Sequence, residues 1–232
     1  MEPLYLLLIG IPLAGILVYA AYDFCSARKR SADIKRWAEQ RGFEFYPAAK
    51  DTFLDELHGF QLFSKGYIRK VKNHIVGEIE GIEFSIFDYE YTVLSKRAVD
   101  IRSSVQTVFL IRLSKLALPF FSLWPRSFYR KLAGKSGSRE FSFEAREACF
   151  ESDLPFSKNY LVYGNDECSV QGVFSNKLLA WLGEHPGLRM DGGDDRFIIY
   201  RSGKKIKAKA IPAFLDEGMR LEKLLQENEG RS

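Results

Sequence analysis

The chain has 232 residues, with 34 basic and 30 acidic side chains and a formal charge of +4 at pH 7. Beyond residue 25 the acids fall to 28 while every basic residue remains, so that part carries +6. This diffuse charge lacks the dense basic stripe of a nucleic-acid binder, and we expect no nucleic-acid partner. The remaining length suits one ordinary domain, or two small ones that share a core.

The chemistry that the sequence could support is limited by what it lacks. Cys25, Cys149 and Cys168 form no close pair and no metal-binding spacing, as is typical of a protein in a reducing compartment. The chain also has no nucleophile elbow, no glycine-rich phosphate loop, and no HExxH or CxxC motif. We therefore expect no catalytic residues, no cofactor and no metal.

The first segment, Leu4–Tyr22, contains 19 residues without a charge. About 20 apolar residues span a bilayer as a helix, so this segment predicts a transmembrane anchor. Arg28, Lys29 and Arg30 follow it, and the positive-inside rule then places the N-terminus outside and the rest in the cytoplasm. The sequence thus predicts a single-pass membrane protein whose C-terminal domain is cytoplasmic.

Two alternatives to an uncleaved anchor are open. Val18-Tyr19-Ala20 is a tolerable cleavage site for a secretory signal, although such signals begin with basic residues and have shorter apolar regions. Cys25 raises the alternative of a lipoprotein. Asp23 and Phe24 before it are too polar and too bulky for the small-residue lipidation motif.

The predicted anchor (1–25) leads into a juxtamembrane helix (26–42). Ser31 is a suitable N-cap and Gly42 a suitable end for its regular part, Arg28–Gly42. Arg28, Lys29 and Arg30 could contact anionic lipid, or could serve only to set the topology. Residues 43–232 are predicted to form one cytosolic α+β domain with a mainly antiparallel sheet and packed helices, with a subdivision near 135–140.

The first half of this domain shows strand and turn patterns. They predict a strand at Phe43–Tyr46, a brief helix from Asp51 to Leu57, a strand at Gly59–Phe63 and a basic loop at Lys65–Lys72. The clearest pattern is a hairpin from Asn73 to Tyr91 with Glu80-Gly81 at its tip. Its register pairs Ile79 with Ile82, Gly77 with Phe84, Ile75 with Ile86 and Asn73 with Asp88, which makes one face apolar except at its open end. The opposite face should be exposed and carries Lys72, His74, Glu78, Glu83 and Ser85.

The following elements continue the sheet. Gln106–Leu113 predicts a strand antiparallel to the hairpin. Leu116–Leu132 is rich in apolar and aromatic residues; it could dip into a membrane interface, but its prolines favour a strand into Pro125 and a short helix packed on the core. The later patterns predict a strand at Tyr160–Tyr163, a helix from Asp166 to Leu182, a hairpin of 188–190 with 197–201, and a last helix from Pro212.

Three polar clusters are candidate binding sites. Asp88 and Glu90 share a strand face with Asn73 opposite, and could hold a metal or share a proton; alternatively, Asp88 caps the strand or pairs with a cation of Lys65–Lys72. Asp191, Asp194 and Asp195 could form a calcium loop, but their spacing favours a hairpin turn. The third cluster is the basic run Lys204, Lys205 and Lys207 with Lys209, which could contact phospholipid headgroups or remain solvated.

Several segments resemble known bacterial proteins. They are WAEQRGFEF from Trp37, FDYEYT from Phe87, LPFSKNYLVYGND from Leu154 and DRFIIYRSGKKI from Asp195. Together with the predicted anchor, they resemble a family of uncharacterised bacterial single-pass membrane-anchored proteins. The segment from Asn159 to Leu182 is also similar to a module of the domain-of-unknown-function 3137 proteins. The resemblance implies one folded cytosolic unit behind a membrane helix, and it carries over no functional residues.

Three hypotheses of function follow. The favoured one is a tethered binding or scaffold domain that recruits a protein partner or senses a ligand. The second is a lipid-surface reader that uses the basic patches. The third is a hydrolase that uses Asp88 and Glu90.

Overall fold

The computed structural model describes residues 2–94, 101–113, 117–127, 146–151 and 155–227. Its helices are α1 (Glu2–Glu39), α2 (Pro155–Asn159), α3 (Glu167–Val173), α4 (Asn176–Glu184) and α5 (Ile211–Gln226). Its strands are β1 (Glu44–Ala48), β2 (Ile68–Ile79), β3 (Ile82–Leu94), β4 (Ile101–Arg112), β5 (Leu118–Pro125), β6 (Arg146–Ala148), β7 (Tyr160–Gly164), β8 (Arg189–Asp194) and β9 (Arg196–Tyr200).

The nine strands form one antiparallel sheet in the order β1-β2-β3-β4-β9-β8-β5-β7-β6. This confirms the predicted α+β class with a mainly antiparallel sheet. The late hairpin β8–β9 lies between β4 and β5, so strands from both halves of the chain share one sheet. The predicted subdivision near 135–140 lies outside the described residues.

The two faces of the sheet are covered differently. On the helical face, strand residues such as Ile86, Phe109 and Ile199 pack against α1 and the four later helices. On the opposite face, which we call the turn face, Phe87 and Tyr89 pack against short 3-10 turns within residues 51–64. Successive side chains of each strand point to opposite faces, so the strands contribute residues to two separate apolar clusters.

Helix α1 is unbroken from Glu2 to Glu39, which confirms that the helix over Arg28–Gly42 continues from the apolar run; Ser31 lies inside it and caps nothing. It ends where expected, because Gly42 adopts φ +74°, a conformation that suits glycine. Its last turns dock on the helical face through Ile34 and Ala38, which are 2% and 0% exposed.

The first part of α1 bears on the predicted membrane span. In α1 the described side chains begin at Leu13. Within the described part of the chain, no helix has a stretch that is both long and apolar enough to cross a bilayer. The segment Leu4–Tyr22 extends into residues 1–12, whose side chains lie outside that description. The transmembrane anchor is therefore not confirmed and stays a prediction.

The β2–β3 hairpin follows the predicted register from Ile79/Ile82 to Ile75/Ile86 and then departs from it. A bulge between Lys72 and Ile75 shifts the pairing, so that Lys72 rather than Asn73 lies opposite Asp88. Asn73 takes φ 50° at this bulge. Strand β2 also begins at Ile68, so much of the predicted basic loop Lys65–Lys72 is strand.

The prediction that the outer face of this hairpin is exposed is only partly correct. Glu78 and Glu83 are exposed, but His74 and Ser85 are buried, because the turns of residues 51–64 cover them. The predicted strand Gly59–Phe63 is also wrong, because Gln61–Ser64 is one of these 3-10 turns. The turn buries Leu62 and Phe63. The predicted helix from Asp51 to Leu57 consists of two 3-10 turns.

The predicted strand before Pro125 is confirmed as β5, an interior strand with β7 and β8 on either side. Residues 128–132 of that prediction lie outside the described residues. The predicted helix from Asp166 to Leu182 is two helices. The Asp166 carboxylate caps α3 by accepting from the Ser169 N–H (2.9 Å), and the Ser175 hydroxyl caps α4 by accepting from Leu178 N–H (3.3 Å).

The β8–β9 turn is tighter than predicted, because Asp194 and Asp195 form it while Asp191 and the two glycines belong to β8. These glycines provide space for neighbouring rings. A Cβ at Gly192 or Gly193 would lie 2.4 Å from the Phe121 or Phe120 ring, respectively.

Gly218 of α5 provides the closest fit between a helix and the sheet. A Cβ there would lie 2.1 Å from the buried Phe109 ring. We therefore expect Gly218→Ala to lower the free energy of unfolding by about 1–3 kcal/mol, despite alanine's better helix propensity. Chemical denaturation followed by circular dichroism measures this. Gly172→Ala in α3 is the control, because nothing lies within 4 Å of its added Cβ; equal effects of the two substitutions would contradict the packing argument.

Candidate functional site

Asp88 lies at the centre of a buried polar cluster on the helical face. It is 3% exposed. Arg30 donates to both carboxylate oxygens, from Nη1 to Oδ2 (2.5 Å) and from Nη2 to Oδ1 (3.0 Å). Asn73 Nδ2 donates to Oδ2 and the Thr107 hydroxyl to Oδ1, each over 2.8 Å. A buried carboxylate is thus paired with a guanidinium and held by two further donors.

The same cluster binds the segment between β9 and α5. Arg30 Nε and Nη2 donate to the carbonyl oxygen of Ile206, at 2.9 and 2.6 Å. The Ile206 N–H donates to the Thr107 hydroxyl oxygen at 2.9 Å. We call the set Arg30, Asn73, Asp88, Thr107 and Ile206 the latch. It joins α1, the central strands and the late loop at one point.

The sequence prediction grouped Asn73, Asp88 and Glu90; the structure brings Asn73 and Asp88 together and places Glu90 with other partners. Asn73 does reach Asp88, although the bulge changes its backbone position. Glu90 instead accepts from Lys72 Nζ (2.8 Å) and the Ser103 hydroxyl (3.3 Å). The hydrogen bond from Lys72 lowers the pKa of the Glu90 carboxyl. Both oxygens of Asp88 already accept from Arg30, so this carboxylate is poorly placed to act as a base or a metal ligand.

The proposed alternative partner of Asp88, a cation of Lys65–Lys72, is also not the one observed. The observed partner is Arg30, 58 positions earlier in the chain. Arg30 was grouped with the lipid-surface candidates, but its guanidinium is engaged within the latch. Its neighbours Arg28 and Lys29 are exposed, as are Lys204, Lys205 and Lys207.

The aspartates of the β8–β9 hairpin do not converge. Asp191 is buried on the turn face, where its Oδ2 accepts from the Tyr200 hydroxyl over 3.3 Å. Beside this pair the Arg189 guanidinium lies between the rings of Trp124 and Tyr200, at 4.3 and 5.1 Å. Burial raises the pKa of Tyr200 well above its ordinary value. Across the described part of the chain, no cluster of His, Cys, Asp or Glu side chains could hold a metal ion.

A cleft of about 510 Å³ opens on the turn face beside the turns of residues 51–64. Its apolar lining comes from Phe53, Leu57, Val76, Phe84 and Leu110. Acidic and basic residues at the cleft are Glu44, Glu56, Glu78, Glu83, Arg112 and Arg196. Arg196 Nη1 donates to the Glu56 carbonyl oxygen over 2.6 Å, which ties one wall of the cleft to the sheet.

His74 and Ser85 are the polar groups at the base of this cleft. The His74 Nε2 and the Ser85 hydroxyl lie 3.2 Å apart, and the imidazole packs against the Phe53 ring at a centroid distance of 4.3 Å. Burial lowers the pKa of His74 to about 4. The imidazole is therefore neutral at pH 7, and it contributes packing and one hydrogen bond rather than a charge.

Sequence reasoning missed both the latch and the cleft. In the sequence, Arg30 looks like one of the basic residues that ordinarily follow a membrane span. His74 occurs at alternate positions with residues that were expected to face solvent. A buried acid on an otherwise apolar strand face was the one available indication, because such a group requires a cationic or donating partner.

The architecture defines the protein as an α+β domain built on a nine-stranded antiparallel sheet behind a long N-terminal helix. It is similar to the crystal structure of the mycobacterial trehalose monomycolate transport factor A, TtfA, with a TM-score of 0.59 and 16% sequence identity. The match covers 87% of this chain and 94% of that one, and at this identity it speaks for the fold alone. Neither protein-family profiles nor curated protein sequences give a match.

The latch predicts a large effect of losing one charge. Arg30→Ala should lower the free energy of unfolding by about 3 kcal/mol, because it leaves the Asp88 carboxylate buried without its cation. Arg30→Lys should lower the free energy of unfolding less, because lysine keeps the positive charge but cannot donate to both Asp88 oxygens as the planar guanidinium does. Urea unfolding of the full chain in detergent measures both.

Lys35→Ala is the matched control on the same helix. Lys35 and Glu39 form an exposed pair at 3.6 Å, and losing it should cost at most about 0.5 kcal/mol. If Arg30→Ala cost no more than Lys35→Ala, the latch would not stabilise the docked helix.

The low pKa of His74 predicts acid sensitivity. Between pH 6.5 and about 4 the unfolded chain binds a proton at His74 that the folded chain does not, so stability falls as the pH falls. This group contributes at most about 1.4 kcal/mol per pH unit. His74→Gln should flatten that part of the stability profile, whereas His58→Gln, at an exposed histidine, should leave it unchanged. The imidazole proton shifts in NMR spectra report the titration directly; a His74 midpoint near 6.5 would refute the prediction.

Proposed function

We propose that this protein is a membrane-tethered, non-enzymatic binding domain. The observation that carries the proposal is the division of α1 into two parts. From Leu13 to Phe24 its large apolar side chains are 55–72% exposed, whereas Ile34 and Ala38 near its end are buried. An exposed apolar helix of this kind needs another apolar environment, and the uncharged run Leu4–Tyr22 suits a bilayer.

The latch would turn this tether into a rigid mount. Arg30 follows Tyr22 by eight residues, which is about 12 Å along a continuous helix. The sheet would therefore be held close to the membrane at a fixed angle to the helix rather than at the end of a flexible linker. Arg28 and Lys29 favour a cytoplasmic position for this side, and the resemblance to bacterial anchored proteins favours the inner membrane.

The cleft on the turn face is our candidate for the binding surface. Glu83 and Ser85 line the cleft and precede Asp88 on β3. They therefore lie on the side of the latch towards the C-terminal end of α1. The cleft would face away from the bilayer, because the predicted span is at the other end of α1. A partly apolar lining with more carboxylates than guanidiniums suits an apolar partner segment that carries basic residues. We further propose a partner from lipid transport, by extension from the protein of similar fold, which is by name a trehalose monomycolate transport factor.

The tether predicts where the protein is found. Leu13→Asp with Leu17→Asp should move the full chain from the membrane fraction to the soluble fraction, because each charge costs about 3 kcal/mol within a bilayer. Tyr46→Asp, at an exposed aromatic residue of β1, is the control and should stay with the membrane. Retention of the double variant after a salt wash would refute the tether.

The same membranes can test the cleft. A photoreactive phenylalanine analogue at Leu110 should form a discrete adduct in the wild-type background and lose it in the Leu13→Asp/Leu17→Asp background. The analogue at Arg220, an exposed position of α5 on the other face, should give no such adduct. Equal labelling at both positions would argue against a binding role for the cleft.

A further inference from the structure

The end of the β2–β3 pair opposite its tight turn exposes an apolar tip formed by Tyr67, Ile68 and Val93. These side chains are 77%, 57% and 42% exposed. They are neighbours, because Tyr67 N–H donates to the Thr92 carbonyl oxygen over 3.0 Å and Ile68 pairs with Thr92 in the ladder. Three exposed apolar residues at one end of a ladder, with Ile68 and Val93 on opposite faces of the sheet, are a more specific feature than scattered exposed ones.

The direction of this tip follows from two contacts between α1 and the sheet. Near the end of α1, Trp37 packs on Phe43, and Phe43 packs on Phe84 of β3. Further back along α1, Arg30 binds Asp88. Moving towards the N-terminus of α1 therefore corresponds to moving towards the C-terminal end of β3. The tip and the exposed part of α1 lie on the same side of the latch.

The two distances from the latch are also similar. Tyr22 precedes Arg30 by eight helical residues, about 12 Å. Thr92 follows Asp88 by four strand residues, about 13 Å. Measured along these elements, the tip lies level with the end of the predicted span. Tyrosine at such a level is typical of residues that settle among lipid headgroups.

The charges at this end are predominantly basic. Lys70 is exposed on β2 two residues after Ile68, and Arg28 and Lys29 are exposed on α1. The loop with Lys204 and Lys205 is held beside α1 through the bond from Arg30 to the Ile206 carbonyl. The described acids near this end are Asp23, Glu90, which pairs with Lys70 in the ladder, and Asp55, which lines a hollow with Tyr67; the five basic residues outnumber these three. An apolar tip with basic neighbours is complementary to an anionic bilayer surface.

We propose that the tip of Tyr67, Ile68 and Val93 inserts into the headgroup region of an anionic membrane next to α1. This inference rests on the proposed tether and adds a second contact to it. A single helix would leave the domain free to rotate about the helix axis, whereas helix and tip together fix which side of the sheet faces the bilayer.

The test places an environment-sensitive fluorophore (NBD) on the full chain. Cys25, Cys149 and Cys168, which are all free, are first replaced by serine. Single cysteines are then introduced by Tyr67→Cys and, as the control, Glu80→Cys at the exposed tight turn of the same hairpin. The proteins are reconstituted into vesicles of equal parts phosphatidylcholine and phosphatidylglycerol, and the vesicles are floated on a density gradient.

We expect both proteins to float, with a blue-shifted and several-fold brighter emission at position 67 and an aqueous spectrum at position 80. Lys70→Glu, or vesicles of phosphatidylcholine alone, should weaken the shift at 67. Flotation with an aqueous spectrum at 67 would overturn the inserted tip while leaving the tether intact. Failure to float would overturn the tether, and the tip with it.

Discussion

The fold depends on how the charge of Asp88 is neutralised. A carboxylate that is 3% exposed on an apolar sheet face is unfavourable unless it is paired and fully hydrogen-bonded. Arg30 supplies the charge and two donors, and Asn73 and Thr107 supply the others. Arg30 belongs to α1 and also binds the Ile206 carbonyl, so neutralising one strand residue fixes the first helix and the late loop to the centre of the sheet.

This arrangement separates the roles of the two sheet faces. The helical face is used by the docked end of α1 and the later helices, and it holds the larger apolar cluster. The turn face is covered by residues 51–64 over part of its area and leaves the cleft beside them. In our proposal, attachment and binding therefore occur on opposite faces, and a partner could occupy the cleft without displacing α1.

Local patterns predicted much of this architecture. Alternation and the Glu80-Gly81 turn predicted the β2–β3 hairpin in its correct register near the turn, since that register is set by residues a few positions apart. The same reasoning failed for Gly59–Phe63, whose apolar residues are buried from a 3-10 turn, and for His74, which a non-neighbouring segment covers. Periodicity reports which side chains are apolar, and it does not report what packs over a polar one.

The sequence by itself determined the antiparallel α+β class, the uncharged N-terminal run with its basic flank, and the lack of recognised catalytic motifs. These features follow from composition and from spacings of two to four residues. Only the tertiary structure decided the partner of Asp88, the burial of His74 and the cleft, and placed the β8–β9 hairpin at the centre of the sheet. Such features join residues up to 176 positions apart, as in the bond from Arg30 to Ile206, and the energy that selects them arises only when distant segments exclude water together.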